Sequence, residues 1–143
     1  MIMRHLSKAV VTIIALAAVL GLGLGLGACG KKKKKRPSGF PASVLHDFKR
    51  GGLESSKFAE TDPARYGAEI CAEGQVEGLA VLVCRYADAG TAKGSEAKLL
   101  TYVQGAVTGL VRTKGKVAMV VADPDKMDLR GKLIAKLVKA FEK

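Results

Sequence analysis

Aromatic side chains are scarce in this 143-residue chain, which has no tryptophan, three tyrosines and four phenylalanines. Proteins that bind single-stranded nucleic acids stack bases on such side chains, so the composition argues against that function. The net charge of +11 would favour nucleic-acid binding, but much of this charge lies near the N-terminus. Residues 37–143 carry 16 basic and 13 acidic side chains, a net charge of only +3. We therefore expect no nucleic-acid binding by this part of the chain.

Histidine is also rare, and His46 is the only one after position 5. It lies three residues after Ser43 on a short amphipathic segment, where a surface or packing role is more common than a role in a catalytic triad. No pair of carboxylates is spaced as a convincing acid and base. We therefore predict no catalytic residue and no enzymatic activity, and a small enzyme is kept as an alternative function.

Carboxylates cluster at one place, where Asp123, Asp125 and Asp128 follow one another closely. A calcium loop would need further oxygen ligands and a suitably placed turn glycine. The pattern fits better with Asp123-Pro124 ending a strand and Asp128 capping the next helix. No metal ion and no cofactor are predicted.

A long run without charged residues extends from Ala9 to Ala28, and Arg4 and Lys8 precede it. A basic segment, an apolar segment and small residues in this order are typical of a secretory signal peptide. The run ends in Leu-Gly-Ala-Cys at positions 26–29, which resembles the lipobox of bacterial lipoproteins. The resemblance covers residues 1–29 and carries no information about the rest of the chain.

This resemblance implies that residues 1–28 are a signal peptide and that Cys29 is the site of lipid attachment. Several acyl chains at one residue give stable anchoring, whereas a single chain does not. The protein would then be anchored to a membrane of the bacterial cell envelope, with its folded part facing the periplasm or the outside. Membrane lipid, bound through Cys29, is the first predicted partner.

The alternative is an uncleaved transmembrane helix, because twenty uncharged residues can span a bilayer. Four alternate glycines, at positions 21, 23, 25 and 27, lower the helix propensity of the run. The basic residues that follow it would favour a cytoplasmic location of the C-terminal side. Under this alternative the protein is a membrane-anchored basic protein that faces the cytoplasm.

Six consecutive basic residues follow Gly30. Such a run behaves as a solvated linker, and close to a membrane each charge contributes about 1 kcal/mol of attraction to anionic headgroups. We predict that residues 29–62 form a basic tether and linker, in which Ala42–Arg50 can form a short helix ended by Gly51. The predicted membrane-surface contacts are Lys31, Lys32, Lys33, Lys34, Lys35 and Arg36.

From Tyr66 the pattern becomes that of a β-hairpin, with strands Tyr66–Val76 and Leu79–Tyr86 joined at Glu77-Gly78. A two-residue loop ending in glycine is typical of tight hairpins. This register places Cys71 opposite Cys84 in a non-hydrogen-bonded pair, where Cα atoms lie about 4.5 Å apart. That separation suits a disulfide, which an exported protein would form.

Two alternatives to this disulfide stay open. A turn at Glu73-Gly74 would break the pairing, and a domain in the reduced cytoplasm would keep both cysteines as free thiols. The disulfide matters because a small domain has a limited core. Closing this loop would contribute about 3 kcal/mol in the chain-entropy treatment.

The second half repeats the pattern at an offset of 37 residues. A helix over Thr91–Gln104, with Leu99, Leu100 and Val103 on its apolar side, precedes strands Ala106–Thr113 and Lys116–Asp123, joined at Lys114-Gly115. A last helix is predicted over Asp128–Glu142, with an apolar stripe made of Leu129, Leu133, Ile134, Leu137 and Phe141.

The resulting fold class is α+β, with a four-stranded, largely antiparallel sheet and two helices on one of its faces. The order is ββαββα, which we interpret as two ββα pseudo-repeats. The folded domain is predicted to span residues 63–143.

One face of the predicted sheet lacks a cover. If the helices lie over Val81, Val83, Ala118 and Val120, the other face is also mostly apolar, which on a soluble monomer usually marks an interaction site. The linker could cover it through Val44, Leu45, Phe48, Leu53 and Phe58, or a protein partner or second copy could do so. The candidate interaction face consists of Leu82, Leu110, Val117, Met119 and Val121.

The function expected from these patterns is that of a membrane-anchored lipoprotein of the cell envelope. Its small domain would bind or scaffold other components, through a protein partner or by self-association. The sequence does not identify a ligand.

Overall fold

The computed structural model describes residues 39–143, so the predicted signal peptide, Cys29 and the basic run 31–36 lie outside the described residues. The fold is α+β, with a five-stranded antiparallel sheet and four helices. The helices are α1 (Ala42–Arg50), α2 (Ala89–Gly94), α3 (Glu96–Leu99) and α4 (Lys132–Glu142). The strands are β1 (Ala59–Thr61), β2 (Ile70–Val76), β3 (Leu79–Arg85), β4 (Thr108–Lys114) and β5 (Val117–Asp123), in the spatial order β1-β2-β3-β5-β4.

The first hairpin has the predicted register. Val76 pairs with Leu79 and Cys71 pairs with Cys84 across β2 and β3. The loop residues Glu77 and Gly78 both have positive φ, 51° and 85°, as the type I′ turn requires. Cys71 and Cys84 form a disulfide with a Cα–Cα distance of 4.2 Å.

The second hairpin turns one residue later than predicted. Lys114 pairs with Val117, so the loop is Gly115-Lys116 and not Lys114-Gly115. Gly115 has a φ of 57° at the first loop position, where type II′ turns prefer glycine. The strands therefore repeat at an offset of 38 residues, since β2 and β3 correspond to β4 and β5.

The helix predicted over Thr91–Gln104 is broken into α2, α3 and a 3-10 turn over Leu100–Val103. Asp88 caps it, and its side chain accepts hydrogen bonds from the amide (2.8 Å) and hydroxyl (2.9 Å) of Thr91. The break falls at Ser95, whose hydroxyl donates to the Thr91 carbonyl oxygen (2.8 Å). Such back-bonding bends helices. Leu100, which was predicted on the apolar side of this helix, is exposed.

The last helix begins at Lys132, four residues later than predicted. Asp128 nevertheless caps the N-terminus of this helix, because the Asp128 carboxylate accepts hydrogen bonds from the amides of Lys132 and Ile134, each at 2.8 Å. Gly131 has a positive φ of 66° immediately before the helix. Leu129 lies in the preceding loop and is 70 % exposed, so its predicted place in the apolar stripe is wrong.

The residues before Pro63 belong to the fold. Helix α1 spans the residues predicted, and it places Val44 and Phe48 in the core with Leu53. Strand β1 then pairs with β2 and adds the fifth strand. The predicted start of the domain at position 63 is therefore too late, because the buried side chains of α1 lie before it.

Both faces of the sheet are covered, so the expectation of helices on one face is wrong. The face that carries Val81, Val83, Met119 and Val121 packs against α1 and α4, and is called the α1/α4 face. The opposite face packs against α2, α3 and two 3-10 turns, Ala64–Tyr66 and Leu100–Val103, and is called the α2/α3 face. It carries Cys71, Leu82, Cys84, Ala118 and Val120.

The pseudo-repeat therefore holds for the hairpins and fails for the helices. Helix α2 follows β3 after three residues, whereas α4 follows β5 after eight. The longer connection leads to the other side of the sheet. Helix α1 packs beside α4 there, and a Cβ atom at Gly51 would lie 2.9 Å from the Cβ atom of Ala140.

Candidate functional site

The predicted interaction face does not exist as a surface. Leu82, Met119 and Val121 are fully buried, and they belong to opposite faces of the sheet. The prediction placed Val81 and Val83 on the same face as Val120, so it assigned the side chains of β5 to the wrong faces, as a one-residue shift of register does. Val83 lies opposite Met119, so these two share the α1/α4 face.

The linker residues proposed as a cover do lie over the sheet, but on a face that a helix also covers and not on a face free of helices. Val44, Phe48 and Leu53 are buried in the core of the α1/α4 face, and Leu45 and Phe58 pack against its edge. They share this face with α4.

The disulfide lies inside the α2/α3 face and not in a reactive site. Both cysteines are fully buried, close to Tyr66 and Tyr86. The Tyr86 hydroxyl donates to the carbonyl oxygen of Tyr66 (3.4 Å). A buried disulfide in such packing is structural, because reactive cysteines sit in partly exposed surroundings.

A groove between β4 and α4 is the strongest candidate for a binding site. It encloses a cavity of about 510 Å³, within the range of roughly 300–1,000 Å³ found for ligand sites. We call it the β4/α4 groove. One wall is formed by residues of β4: Thr108, Gly109, Leu110 and Arg112. The other is formed by Gly131, just before α4, and by residues of the helix itself: Ile134, Ala135, Val138, Lys139 and Glu142.

The floor of the groove is apolar. Leu110 and Val138 are half-buried and pack against the core of the α1/α4 face, and Ile134 belongs to that core. Ala135 is exposed on the groove side of α4. Because its side chain is a single methyl group, the space between helix and strand is left open.

The rim of the groove is predominantly basic. Arg112 and Lys139 face Glu142, and Arg112 Nε lies 3.9 Å from Glu142 Oε1. Both partners of this ion pair are more than half exposed, so its contribution to stability is small. Lys114 Nζ donates to the carbonyl oxygen of Phe141 (3.1 Å), which ties the end of α4 to the end of β4.

Strand β4 forms the outer edge of the sheet at this groove. It pairs with β5 on one side, and no other strand of residues 39–143 pairs with it. Gly109 is required here because an added Cβ atom would collide with Val103 Cγ1 and would lie 2.7 Å from the Val121 carbonyl oxygen. The 3-10 turn thus supports β4 from behind, and the edge stays uncovered on the groove side.

The groups with shifted pKa values lie elsewhere. Burial raises the pKa of Tyr102 to about 12, and the charge of Glu73 adds to this effect. Burial also raises the pKa of Tyr86. Hydrogen bonds from Thr91 lower the pKa of the Asp88 carboxyl. The tyrosines belong to the α2/α3 face and Asp88 caps α2, so none of these groups lines the groove.

Two aspartates of the cluster accept hydrogen bonds from backbone amides. The carboxylate of buried Asp123 accepts hydrogen bonds from the amides of Met127 (2.9 Å) and Asp128 (2.8 Å). With the bonds that Asp128 accepts from α4, both carboxylates organise the loop before the helix. Across the described part of the chain, no three histidine, cysteine or acidic side chains are grouped to hold a metal ion. Nor is any helix of residues 39–143 long and apolar enough to cross a membrane.

No protein-family model matches this chain, and neither a curated protein nor a solved structure is detectably similar to it. The assignment of the site therefore depends on its geometry.

Sequence patterns identified one of the groove residues, Leu110, as part of an interaction surface. Ala135, Val138 and Lys139 were missed because the helix was treated as having a single apolar stripe. One signal was present in β4, where Arg112 and Lys114 alternate with less polar residues. Charged side chains in a strand are typical of sheet edges.

Proposed function

We propose that this protein is a lipid-anchored component of the bacterial cell envelope whose domain binds another protein in the β4/α4 groove. The observation that carries the proposal is an apolar groove beside an uncovered sheet edge. Apolar concave surfaces with a polar rim are characteristic of binding sites. A scaffolding role follows from the same geometry, because the tether would hold the bound protein near the membrane.

The proposed location is supported by two parts of the chain. The Leu-Gly-Ala-Cys sequence at positions 26–29 resembles a lipobox, and Cys71–Cys84 is a disulfide. Disulfides are stable in oxidising compartments such as the periplasm. The basic run 31–36 would then lie next to the lipid headgroups. Because disulfides are rare in the reducing cytoplasm, this bond also argues against the alternative in which the domain faces the cytoplasm.

An enzymatic function has less support. Arg112, Lys139 and Glu142 are the ionisable groups of the groove, and Glu142 pairs with Arg112. This set provides a charged rim but not a nucleophile with an adjacent base. His46 lies on α1, with Nδ1 3.8 Å from Asp47 Oδ1, and does not line the groove.

Anchoring is tested by the intact mass of the protein extracted from membranes. We expect a mass that corresponds to the loss of residues 1–28 and the addition of lipid to Cys29. Cys29→Ser should accumulate as an unprocessed precursor without lipid. Equal masses of polypeptide and no lipid in either protein would contradict the anchoring.

Binding in the groove is tested by photo-crosslinking in living cells. A photoreactive amino acid at Ala135 should form adducts with another protein, whereas the same residue at Glu60, on the opposite edge strand β1, should not. The captured protein is then identified, purified and tested for direct binding to the full-length chain. Equal adducts at both positions, or none at Ala135, would contradict the proposed site.

A further inference from the structure

The outer edge of β4 presents backbone groups in a regular row. In a hairpin with a two-residue loop the flanking residues exchange both hydrogen bonds, so Lys114 and Val117 form such a pair. Alternation along the antiparallel ladder then directs the amide and carbonyl groups of every second residue away from β5. These outward residues are Gly109, Val111 and Thr113.

The outward groups lack a backbone partner among the described residues. The carbonyl oxygen of Val111 accepts a hydrogen bond from Arg112 Nη1 at 3.3 Å, which is an exposed side-chain contact from the neighbouring residue. An added strand can replace that contact at little cost, because the guanidinium is free to move into solvent or onto a carboxylate. Three residues with outward groups suit a partner segment of about five to seven residues in extended conformation.

We propose that the partner binds as an extended segment with acidic side chains, which adds to β4 as a sixth, edge strand; this inference rests on the proposed binding function of the groove. Strands in a sheet lie about 4.8 Å apart, and their side chains alternate between the two faces. Every second side chain of the added strand would therefore point into the β4/α4 groove. It would meet Ala135 and Val138 on the floor and Lys139 on the rim.

The basic side chains near the groove favour a segment with acidic side chains. The residues of β4 that share the groove side are Thr108, Leu110, Arg112 and Lys114, as their pairing with β5 requires. Arg112 and Lys139 are the basic side chains of the groove wall, and Glu142 is its single acidic one. Lys114 adds a third positive charge on the same side of β4, beyond the groove. Acidic side chains on the added strand would pair with these cations, and opposite charges across neighbouring strands are stabilising.

The same charges disfavour two other occupants. In a symmetric pairing of β4 with a second copy, Arg112 and Lys114 of both chains would lie on the same side of the joint sheet, and like charges across strands are destabilising. The chain's own run 31–36 is entirely basic, so it would be repelled in the same way. Basic residues on an edge strand can also protect against aggregation, and the experiment separates this role from binding.

The probe is a fluorescent nine-residue peptide of the sequence Glu-Thr-Val-Thr-Glu-Thr-Val-Thr-Glu, blocked at both ends. It alternates so that glutamate and valine share one side and threonine the other. Two control peptides carry lysine for glutamate, or N-methyl groups on the four threonines, which remove the amide donors that would face β4. Binding is measured by fluorescence anisotropy with the full-length protein in detergent.

We expect saturable binding of the acidic peptide, with at least ten-fold weaker binding of each control peptide. Val111→Pro removes one outward amide but no bond to β5, and should weaken binding about ten-fold. Val111→Ala changes the same side chain but keeps the backbone amide. This variant should bind the peptide as the parent protein does. The double variant Arg112→Glu with Lys139→Glu should prefer the lysine peptide.

Amide chemical shifts provide a reading that does not depend on a variant being folded. In isotopically labelled parent protein, the acidic peptide should shift the amides of Gly109, Val111 and Thr113 more than those of Leu110 and Arg112. Equal affinity for the N-methylated peptide, or shifts confined to other residues, would overturn the strand addition. So would a dimer of the full-length protein that Val111→Pro dissociates, because the edge would then be occupied by a second copy.

Failure of this inference is distinguishable from failure of the proposed function. Crosslinking at Ala135 without binding of the acidic peptide would mean that a partner uses the groove in another way. If neither occurs, and replacing Arg112 and Lys114 by valine causes aggregation, the basic residues protect the edge and both proposals are wrong.

Discussion

Leu82 of β3 lies directly opposite Val120 of β5, and a shift of 38 positions along the chain carries the first residue onto the second. On either side of this pair the contacts are reciprocal, because Val81 opposes Val121 and Val83 opposes Met119. The two hairpins are thus related by an approximate two-fold axis that passes between Leu82 and Val120. The helices break this symmetry, and α4 leaves a groove beside the edge strand β4.

Removal of the disulfide should destabilise the domain. Replacing both Cys71 and Cys84 by alanine is expected to lower the free energy of unfolding by about 3 kcal/mol, because the unfolded chain loses a closed loop. Urea unfolding under oxidising conditions measures this difference. The parent and the variant should converge when reductant is added. Because both cysteines are buried, alkylation is performed on protein unfolded without reductant. Neither Cys71 nor Cys84 should then be labelled, and labelling of both would contradict the bond.

Helix α1 is expected to be part of the cooperative core. Phe48 is fully buried between the sheet and α4, and Phe48→Ala should lower the free energy of unfolding by about 3–5 kcal/mol. Leu100→Ala provides the control, because Leu100 is 52 % exposed and surface substitutions usually change stability by less than about 0.5 kcal/mol. Similar small effects of both changes would show that α1 adds little to the fold.

Asp128 is expected to hold the start of α4. Asp128→Ala would leave the amides of Lys132 and Ile134 without their acceptor, and each unsatisfied buried group costs about 1–3 kcal/mol. Denaturant unfolding should show a loss within or above that range. Asp125→Ala is the matched control, because Asp125 lies in the same loop and is exposed. A loss of equal size in the control would contradict the assigned role.

Alkaline pH should destabilise the protein through Tyr102. Burial raises the pKa of its hydroxyl from 10.0 to about 12, so the folded state holds the proton more tightly than the unfolded state does. The stabilisation is complete below pH 10 and is lost as the pH rises towards 12. Thermal unfolding followed across this range should show a shallower decline for Tyr102→Phe. Glu73→Gln should lower the pKa of Tyr102 in an absorbance titration, and an unchanged value would contradict the effect of Glu73.

Local chemistry made the first hairpin predictable. The loop Glu77-Gly78 determines which residues pair, and the two cysteines confirm that register because they meet across it. In the second hairpin the same rule misplaced the turn by one residue. Gly115 can occupy either loop position, since type I′ and type II′ turns place glycine differently.

Long-range pairing was not predictable in the same way. No turn joins β3 to β5, because α2, α3 and β4 lie between them in the chain. Their register determines whether Met119 faces α4 or α3, and both strands are apolar on both faces. Strands buried on two sides lack the alternation that would have identified the inner face. The groove was missed for the same reason, since it depends on which strand is left at the edge.

The bond between Cys71 and Cys84 also determines what a single cut in the chain would do. A protease that cleaves between Glu77 and Gly78 would leave both products joined by this disulfide, so the protein would remain one covalent molecule. A cut between Gly115 and Lys116 has no disulfide across it, so β5 and α4 would be held only by packing and by the hydrogen bonds of β5 to β3 and β4. Under denaturing, non-reducing conditions the first cut would therefore leave one covalent molecule, whereas the second would release the fragment that carries β5 and α4.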